Sequence, residues 1–348
     1  MRLKEIIEIG FKNYASDIHF KVGLPPVYRI DGKLVKRDDY ILTLSAIENF
    51  AREILGDNRY KLFVENKDID FSYSIEGLCR CRVNVFSDLG AISIAVRLIP
   101  FTIPDISTLF LPSIIKDIAR YESGLVLITG LTGSGKSTTI STIIDIINKE
   151  HSSHIITIED PIEYLYSQKK SIINQREVGT DVKSFPSAIR GALRQDPDII
   201  VIGEIRDSET ISAAIHAAET GHLVISTIHT NSIMNTISRL IDAFPAQIQN
   251  QIRTRLASVL TVVVSQKLLP LMDEGRIVAT EVMVSNDAVR NTIRENKLHQ
   301  INNLLQTGDG LKMHTMDQSL LKLYKNKKIE KEILIRECKE KDFIKNNI

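Results

Sequence analysis

The sequence predicts an α/β protein in which a small α+β unit precedes a larger unit built on a mainly parallel sheet. Three observations support this fold class. From Leu125 onward, short apolar runs alternate with amphipathic segments, which is the pattern of strand–helix–strand units. Before Pro100, short strand-like runs surround one helical segment. The length of 348 residues exceeds one minimal domain and leaves room for two or three units.

The first part of the chain is predicted to form strands and one helix. The helix is placed at Thr43–Leu55, because Ile47, Ile54 and Leu55 lie on one stripe of a helical wheel. Asp31-Gly32 is a hairpin signal. The predicted strands, which are apolar or alternate in polarity, are Ala15–Phe20, Val27–Ile30, Ile69–Ile75, Arg80–Phe86 and Ala91–Leu98.

A stretch with two prolines, Pro104 and Pro112, is predicted to be a linker. Beyond it, apolar runs predict strands at Leu125–Thr129, Ile155–Ile158, Ile199–Ile202 and Leu223–Ile228. Spacings of three, one and three residues predict a helix through Ile140, Ile143, Ile144 and Ile147. The pattern after Ser285 is helical. The predicted domains are therefore residues 1–99, a linker at 100–112, a core at 113–285 and a helical C-terminal region at 286–348.

Composition disfavours several classes of protein. A net charge of +1 and the absence of tryptophan disfavour a nucleic-acid partner, because such partners select basic surfaces with aromatic residues. The most apolar run, Ala257–Met272, is interrupted by polar residues and is too short to cross a bilayer, so any membrane role is expected to be peripheral. Three cysteines without a C-x-x-C pair support neither a disulfide framework nor a zinc module.

The motif that carries most chemical information is Gly130–Ser137, which matches G-x-x-x-x-G-K-[ST] between a predicted strand and a predicted helix. Glycines let successive backbone N–H groups face a phosphate, and the helix N-terminus adds further donors. Lys136 is expected to reach the β- and γ-phosphates of ATP, and the Ser137 hydroxyl to ligate Mg²⁺. The predicted nucleotide-binding residues are Gly130, Thr132, Gly133, Ser134, Gly135, Lys136, Ser137 and Thr138.

Carboxylates follow two of the predicted strands, where the carboxyl ends of neighbouring parallel strands meet. Glu159, Asp160 and Glu163 follow Ile155–Ile158, and beside a phosphate loop they suit a metal-linked or water-activating role better than a solvated acidic loop. Glu204 follows Ile199–Ile202 in the Walker B pattern, and it is predicted to support the metal together with Ser137 through a metal-bound water.

Two further polar features accompany these strands. Asp207 is predicted to cap the helix that begins near Ser208. His222 and His229 flank the strand Leu223–Ile228. They are candidates to sense the γ-phosphate or to bridge to an adjacent subunit, and a purely structural role is the alternative.

Taken together, these motifs resemble the secretion and pilus ATPases of the RecA-like superfamily, over nearly the whole chain. The segments that carry the resemblance are Gly130–Thr138 (Walker A), Thr157–Glu163 (Asp box), Leu193–Asp198 leading into Gly203–Asp207 (Walker B) and Thr220–Thr230 (His box). Ala288–Glu295 is similar to an element of the pilus-retraction branch, from which Val289 and Thr292 depart.

The resemblance implies a PAS-like N-terminal domain, a RecA-like core and a homohexamer that holds ATP between the two domains. It makes the arginines of Arg80-Cys81-Arg82 and Arg97 candidates for completing the site, although Arg80 and Arg82 are alternatively strand-face charges. Glu163 becomes the first choice for polarising the attacking water, with Glu159 and Asp160 as alternatives.

The activity implied by the resemblance is ATP hydrolysis that drives pilus retraction. A pilus-assembly or type II secretion ATPase is one alternative, and a nucleotide-dependent switch without hydrolysis is another. The implied partner is an inner-membrane pilus platform protein, without direct membrane insertion. The implied location is the cytoplasmic face of that membrane.

Overall fold

A computed structural model describes residues 2–30, 32–36, 40–75, 78–99, 103–273, 275–345 and 347. The chain forms two compact units. The first comprises Met1–Thr102 and Glu163–Leu165, and the second comprises Ile103–Ile162 and Tyr166–Ile348. Asp31 of the predicted hairpin and residues 100–102 of the predicted linker lie outside the described residues.

The first unit is an antiparallel sheet covered by helices. Its strands are hydrogen-bonded in the order β3-β2-β1-β6-β5-β4. The elements are α1 (Leu3–Lys12), β1 (Asp17–Phe20), β2 (Val27–Ile30), β3 (Lys33–Lys36), α2 (Leu44–Asn66), β4 (Asp68–Ile75), β5 (Cys79–Asp88) and β6 (Ala91–Ile99).

The predicted helix is present but longer than expected. α2 begins after Thr43, whose hydroxyl accepts a hydrogen bond from the Ala46 N–H at 3.2 Å. It continues past Leu55 through a kink at Gly56, which has φ 62° and ψ 175°. Glycine tolerates this conformation, so the chain resumes a helical path instead of leaving the helix.

The second unit has a sheet of order β13-β12-β7-β11-β10-β8-β9. Neighbouring strands of this sheet pair parallel, except that β12 and β13 pair antiparallel. Its strands are β7 (Gly124–Thr129), β8 (His154–Glu159), β9 (Ile172–Glu177), β10 (Ile199–Ile202), β11 (Leu223–Ile228), β12 (Leu260–Pro270) and β13 (Arg276–Val284). Its helices are α3 (Ile114–Ile118), α4 (Lys136–Glu150), α5 (Phe185–Ala192), α6 (Ser208–Glu219), α7 (Ile233–Asp242), α8 (Gln249–Val259), α9 (Asp287–Arg294), α10 (Ile301–Thr307), α11 (Met316–Lys325), α12 (Lys331–Glu337) and α13 (Lys341–Lys345).

Helices cover both faces of this sheet, which explains why its central strands carry apolar side chains on both faces. Leu125 and Leu127 belong to the core packed against α6, α7 and α8, whereas Val126 and Ile128 belong to the core packed against α3 and α4. A strand that is buried on both faces does not alternate in polarity. The fold is therefore α/β with a mainly parallel mixed sheet, as the sequence predicts.

The apolar run Ala257–Met272 ends α8 and then forms β12, which pairs with β7 on one side and β13 on the other. The chain that follows β13 is helical. Within the part of the chain that the structure describes, none of the helices combines the length and the apolar character that crossing a bilayer requires.

Candidate functional site

The predicted phosphate loop connects β7 to α4. Three of its glycines have positive φ: 150° at Gly130, 78° at Gly133 and 90° at Gly135. A Cβ at Gly130 would lie 2.3 Å from the Ser134 hydroxyl and 2.6 Å from the Gln266 carbonyl oxygen, so this position has no room for a side chain. The loop ends at the first turn of α4, where helix N–H groups without an intrahelical acceptor form an anion-binding geometry.

Lys136 lies at the start of α4 and is only 8% exposed. Its ammonium group donates hydrogen bonds to the carbonyl oxygens of Gly130 and Leu131, each at 3.0 Å. The loop backbone therefore holds the Lys136 ammonium group next to the N–H groups of the loop. A buried ammonium in this position favours an anionic ligand, because burial alone opposes its charge.

Gln266, which is distant in sequence, packs against this loop and against α4. Gln266 on β12 is buried, and its side-chain amide donates a hydrogen bond to the Thr139 hydroxyl on α4 at 2.9 Å. Its backbone carbonyl is the atom that excludes a side chain at Gly130. No motif in the sequence pointed to Gln266. The signal that could have drawn attention to it is a glutamine inside an apolar strand, which needs a polar partner.

Glu204 follows β10 at the same edge of the sheet. The backbone around it is fixed to β11: the Ile205 N–H donates to the Thr227 carbonyl at 3.0 Å, and the Thr227 hydroxyl donates to the Gly203 carbonyl at 2.6 Å. The carboxylate is 9% exposed and forms an ion pair with Arg206 through Oε1.

The other carboxylate oxygen of Glu204, Oε2, indicates whether this site suits a metal ion. Oε2 is buried, and it accepts no hydrogen bond from the described residues. The imidazole of His229 is close to this oxygen, with Nε2 at 3.5 Å. A buried carboxylate oxygen of this kind and the Ser137 hydroxyl are hard oxygen donors, which is the set that Mg²⁺ prefers. The residues present therefore fit a magnesium ion.

His229 lies at the carboxyl end of β11, between the charges of the site. Burial lowers the pKa of His229 below its ordinary value, and the positive charge of Lys136 lowers this pKa further, while Glu204 opposes the shift. Arg239 donates a hydrogen bond to the His229 carbonyl oxygen at 3.0 Å. The imidazole is therefore held neutral near neutral pH, in a position electrostatically coupled to both Lys136 and Glu204.

The acidic segment that follows β8 is anchored by β9. The Glu159 carboxylate accepts hydrogen bonds from the Thr157 hydroxyl at 2.6 Å and from the Gln175 side chain at 3.3 Å. Glu177, which is 4% exposed, accepts a hydrogen bond from the Ile162 N–H at 3.1 Å. No sequence motif contains Glu177, and only its place on the edge strand β9 reveals that it holds this segment.

The carboxylates of the acidic segment are divided between the two units. Asp160 of the acidic segment contributes to the electrostatic field at Arg206 and so lies near Glu204. Glu163 groups with the first unit, apart from Glu159 and Asp160 in the second. The second unit therefore brings together Lys136, Glu204 and His229, and the role of Glu163 stays a prediction.

His222 is at the opposite end of β11 from His229. Register pairs Leu223 with Gly124 and Ile228 with Thr129, so the phosphate loop lies beside His229 only. Seven residue steps along the strand separate the two histidines, about 23 Å at 3.3 Å per residue. The His222 Nδ1 contacts the Ala217 carbonyl oxygen at 3.0 Å. A role for His222 at a subunit boundary stays a prediction.

Arg82 and Arg97 are direct cross-strand neighbours on β5 and β6 of the first unit. Arg97 donates a hydrogen bond to Asp17 at 3.0 Å, and Arg82 forms an ion pair with Asp70. Both contacts are typical of charges on the face of a strand. The role of Arg82 and Arg97 in the nucleotide site stays a prediction.

Asp207 behaves as the sequence predicts. Its carboxylate accepts a hydrogen bond from the Thr210 N–H at 2.8 Å and caps the N-terminus of α6.

Comparison with known proteins finds relatives that match nearly the whole chain. Residues 2–342 match the family described as type II/IV secretion system protein. The type IV pilus retractation ATPase PilT of Pseudomonas aeruginosa is 42% identical over 320 residues, which is 92% of this chain and 93% of that protein. A twitching motility protein of Neisseria gonorrhoeae is 44% identical over 299 residues, 86% of this chain and 80% of that protein.

Comparison with solved structures finds the same kind of protein. A crystal structure of the pilus retraction motor PilT with bound ADP superimposes with a TM-score of 0.93 at 44% identity, and the match covers 99% of each chain. Since the family match spans residues 2–342 and the relatives align over most of their own length, the chain belongs to the type II/IV secretion system protein family.

Proposed function

We propose that this protein is a hexameric ATPase motor that hydrolyses ATP to drive retraction of type IV pili in twitching motility. The observation that carries the proposal is the meeting of Lys136, Glu204 and His229 beside one phosphate loop. Support for the pilus function comes from the relatives, which align along most of the chain and are named for pilus retraction and twitching motility.

In the proposed mechanism, the backbone N–H groups of Gly133 to Thr138 and the Lys136 ammonium hold the ATP phosphates. Ser137 and Glu204 would hold Mg²⁺, Glu204 acting directly or through a bound water. When bound, Mg²⁺ supplies a positive charge that stabilises the phosphoryl group in the transition state. The neutral His229 imidazole can hydrogen-bond either to a γ-phosphate oxygen or to Glu204, so it reports on whether the γ-phosphate is present.

The same proposal assigns the remaining predicted residues. Glu163 polarises the attacking water, with Glu159 and Asp160 as the alternatives. Arg82 and Arg97, on a PAS-like first unit, complete a nucleotide site by supplying planar donors to phosphoryl oxygens. The motor works as a homohexamer at the cytoplasmic face of the membrane, where it acts on a pilus platform protein without entering the bilayer.

The enzymatic part of the proposal is tested by two variants. Lys136→Ala should abolish ATP turnover and weaken nucleotide binding, because it removes the ammonium from the phosphate loop. Glu163→Gln should retain binding of ATP but slow its hydrolysis by about 10²–10⁴-fold, the typical contribution of a general base. Phosphate release and equilibrium binding of a fluorescent ATP analogue measure the two quantities separately.

The matched control is Glu159→Gln, a change of the same kind in the same segment. Unchanged hydrolysis in Glu163→Gln with a large loss in Glu159→Gln would move the role to Glu159. An unchanged turnover in Lys136→Ala would show that the phosphate loop is not the catalytic site. Binding of ATP without turnover in the unaltered protein would identify a nucleotide switch instead.

The pilus function is tested in the host by deletion of the gene. Loss of twitching with an excess of surface pili is expected, because pili would extend without being withdrawn. Cells without pili would instead identify an assembly ATPase. Complementation with Lys136→Ala should fail to restore twitching, which ties the phenotype to nucleotide chemistry.

A further inference from the structure

Glu281 is a buried carboxylate of the second unit that the proposed ATPase mechanism does not use. It lies on β13 and is 6% exposed, between the buried residues Thr280 and Val282. Burial raises the pKa of Glu281, which means that its surroundings disfavour the charge. A carboxylate in such a place needs hydrogen-bond donors to compensate for the water that it has lost. The donor that it contacts therefore indicates what the residue does.

The donor is the backbone N–H of Ile233, the first residue of α7, which lies 2.9 Å from the Glu281 Oε2. An N–H in the first turn of a helix has no acceptor within its own helix. Ile233 is fully buried, so water does not replace the missing acceptor. The first turn of α7 contains no acidic side chain, and the hydroxyl of its capping residue, Ser232, accepts from the Asn235 N–H at 3.3 Å instead. Glu281 thus supplies, from another strand, an acceptor that α7 lacks.

Sheet register places Glu281 level with the ends of the strands that form the candidate site. Glu281 pairs with Ser265 on β12, and Ser265 pairs with Thr129, the last residue of β7. Thr129 pairs in turn with Ile228, the last residue of β11. Since β7 and β12 lie between β11 and β13, the residues that lead from Ile228 to α7 cross the edge of the sheet where the phosphate loop begins.

Side chains of α7 hold the segment that carries His229. Arg239 donates a hydrogen bond to the His229 carbonyl oxygen at 3.0 Å. The Thr236 hydroxyl donates to the Ser232 carbonyl oxygen at 2.8 Å, and it lies 2.7 Å from the Thr230 hydroxyl. Both threonines are buried. A displacement of the first turn of α7 would therefore move this segment, and the imidazole with it.

We infer that Glu281 is a positioning residue of the candidate ATPase site: it fixes the first turn of α7 and thereby keeps His229 beside Lys136 and Glu204. The inference rests on the proposed function, and it extends that function to a residue two strands away from the phosphate loop. Because His229 reports on the γ-phosphate, loss of the hydrogen bond from Ile233 should impair discrimination between ATP and ADP and slow hydrolysis. Binding of ADP, which the loop itself holds, should not change.

The test compares two neutral substitutions of similar size in the full-length protein. Glu281→Met removes the acceptor for the Ile233 N–H, whereas Glu281→Gln keeps an oxygen acceptor. Glu281→Met should lower kcat for ATP hydrolysis by about 10-fold or more, since a small misplacement at the reacting groups can cost about 10²-fold. It should also reduce the ratio of the affinities for AMP-PNP and ADP, measured calorimetrically with Mg²⁺, without changing the affinity for ADP. Glu281→Gln should retain both the kcat and the affinity ratio of the unaltered protein.

Asp317→Ala is the matched control. Asp317 is a second buried carboxylate, 5% exposed, but the backbone N–H groups that donate to it are those of Lys339 and Glu340 and not those of α7. Its loss should lower stability without changing discrimination between AMP-PNP and ADP. The NMR resonances of the His229 imidazole give a readout that does not depend on hydrolysis. They should shift in Glu281→Met and stay in place in Glu281→Gln and Asp317→Ala.

All variants are compared well below their thermal unfolding transitions, which circular dichroism records. If Glu281→Met does not fold, Ile233→Pro removes the same hydrogen bond from the donor side, because proline has no N–H and suits the first position of a helix. The inference is overturned if a folded variant without this hydrogen bond keeps the His229 resonances and the affinity ratio of the unaltered protein, or if Asp317→Ala changes them equally. Absence of ATP turnover in the unaltered protein would instead overturn the proposed function, and the His229 resonances would still decide the role of Glu281.

Discussion

The phosphate loop allows a quantitative test of its own packing, through alanine in place of Gly130. The added Cβ meets the Ser134 hydroxyl at 2.3 Å and the Gln266 carbonyl at 2.6 Å, well inside van der Waals contact. Ser134 can rotate away, but the Gln266 carbonyl is backbone of β12 and is tied to the sheet. The clash is therefore relieved only by moving the loop or the strand.

The expected cost has two parts. An alanine at positive φ costs about 1–2 kcal/mol, and overpacking a close-packed site adds about 1–3 kcal/mol. Gly133→Ala is the matched control: it also has positive φ, 78°, but among the described residues no atom lies within 4 Å of its added Cβ. Gly133→Ala should therefore lose only the backbone part, about 1–2 kcal/mol.

The assay is urea unfolding without nucleotide, followed by circular dichroism and compared at the transition of the second unit. Gly130→Ala should unfold at lower urea than Gly133→Ala, by a free-energy difference of about 1–3 kcal/mol. Equal midpoints for the two variants would refute the reasoning, because they would show that the Gln266 carbonyl does not confine the loop. A larger loss in Gly133→Ala would contradict it as well.

Three further results are expected. Asp207→Ala should destabilise the protein by about 1 kcal/mol in urea unfolding, because the Thr210 N–H loses its cap, whereas Asp207→Asn should cost little. Burial raises the pKa of Glu281, so the folded chain binds this proton more tightly than the unfolded one and stability falls as pH rises from the ordinary carboxyl pKa through the raised one. Glu281→Gln, which keeps an acceptor for the N–H at the start of α7, should flatten that slope and gain stability over the unaltered protein at pH 7 but not at pH 4. Lys136→Ala should raise the pKa of His229, measured by NMR titration of the imidazole, because a neighbouring positive charge is removed. An unchanged pKa would show that the Lys136 charge does not act on this imidazole.

The elements that were predicted well are those whose signals are local. The strands Val27–Ile30, Ile199–Ile202 and Leu223–Ile228 have the predicted bounds, because each is a mainly apolar segment with polar or turn residues on either side. The phosphate loop was predicted from spacing and context, since strand, glycines, lysine and helix are contiguous. The cap at Asp207 was found for the same reason.

Elements with weak local signals were missed. α1 buries Leu3, Ile6 and Ile7, but the charged residues between them obscure that stripe in a short segment. β9 reads IINQRE, with one apolar pair followed by polar residues, and it becomes a strand because β8 offers it a free edge. Propensity alone does not reveal such strands, since pairing supplies most of their stability.

By itself, the sequence determined the strand–helix alternation, the phosphate loop and the candidates that follow each strand, because these depend on residues close together in the chain. Only the tertiary structure decided which candidates meet. Register along β11 places His229 beside Lys136 and His222 at the far end, and β12 brings Gln266 beneath a loop more than a hundred residues away. Strand order and register arise from packing between distant segments, so no local pattern specifies which side chains share an edge of the sheet.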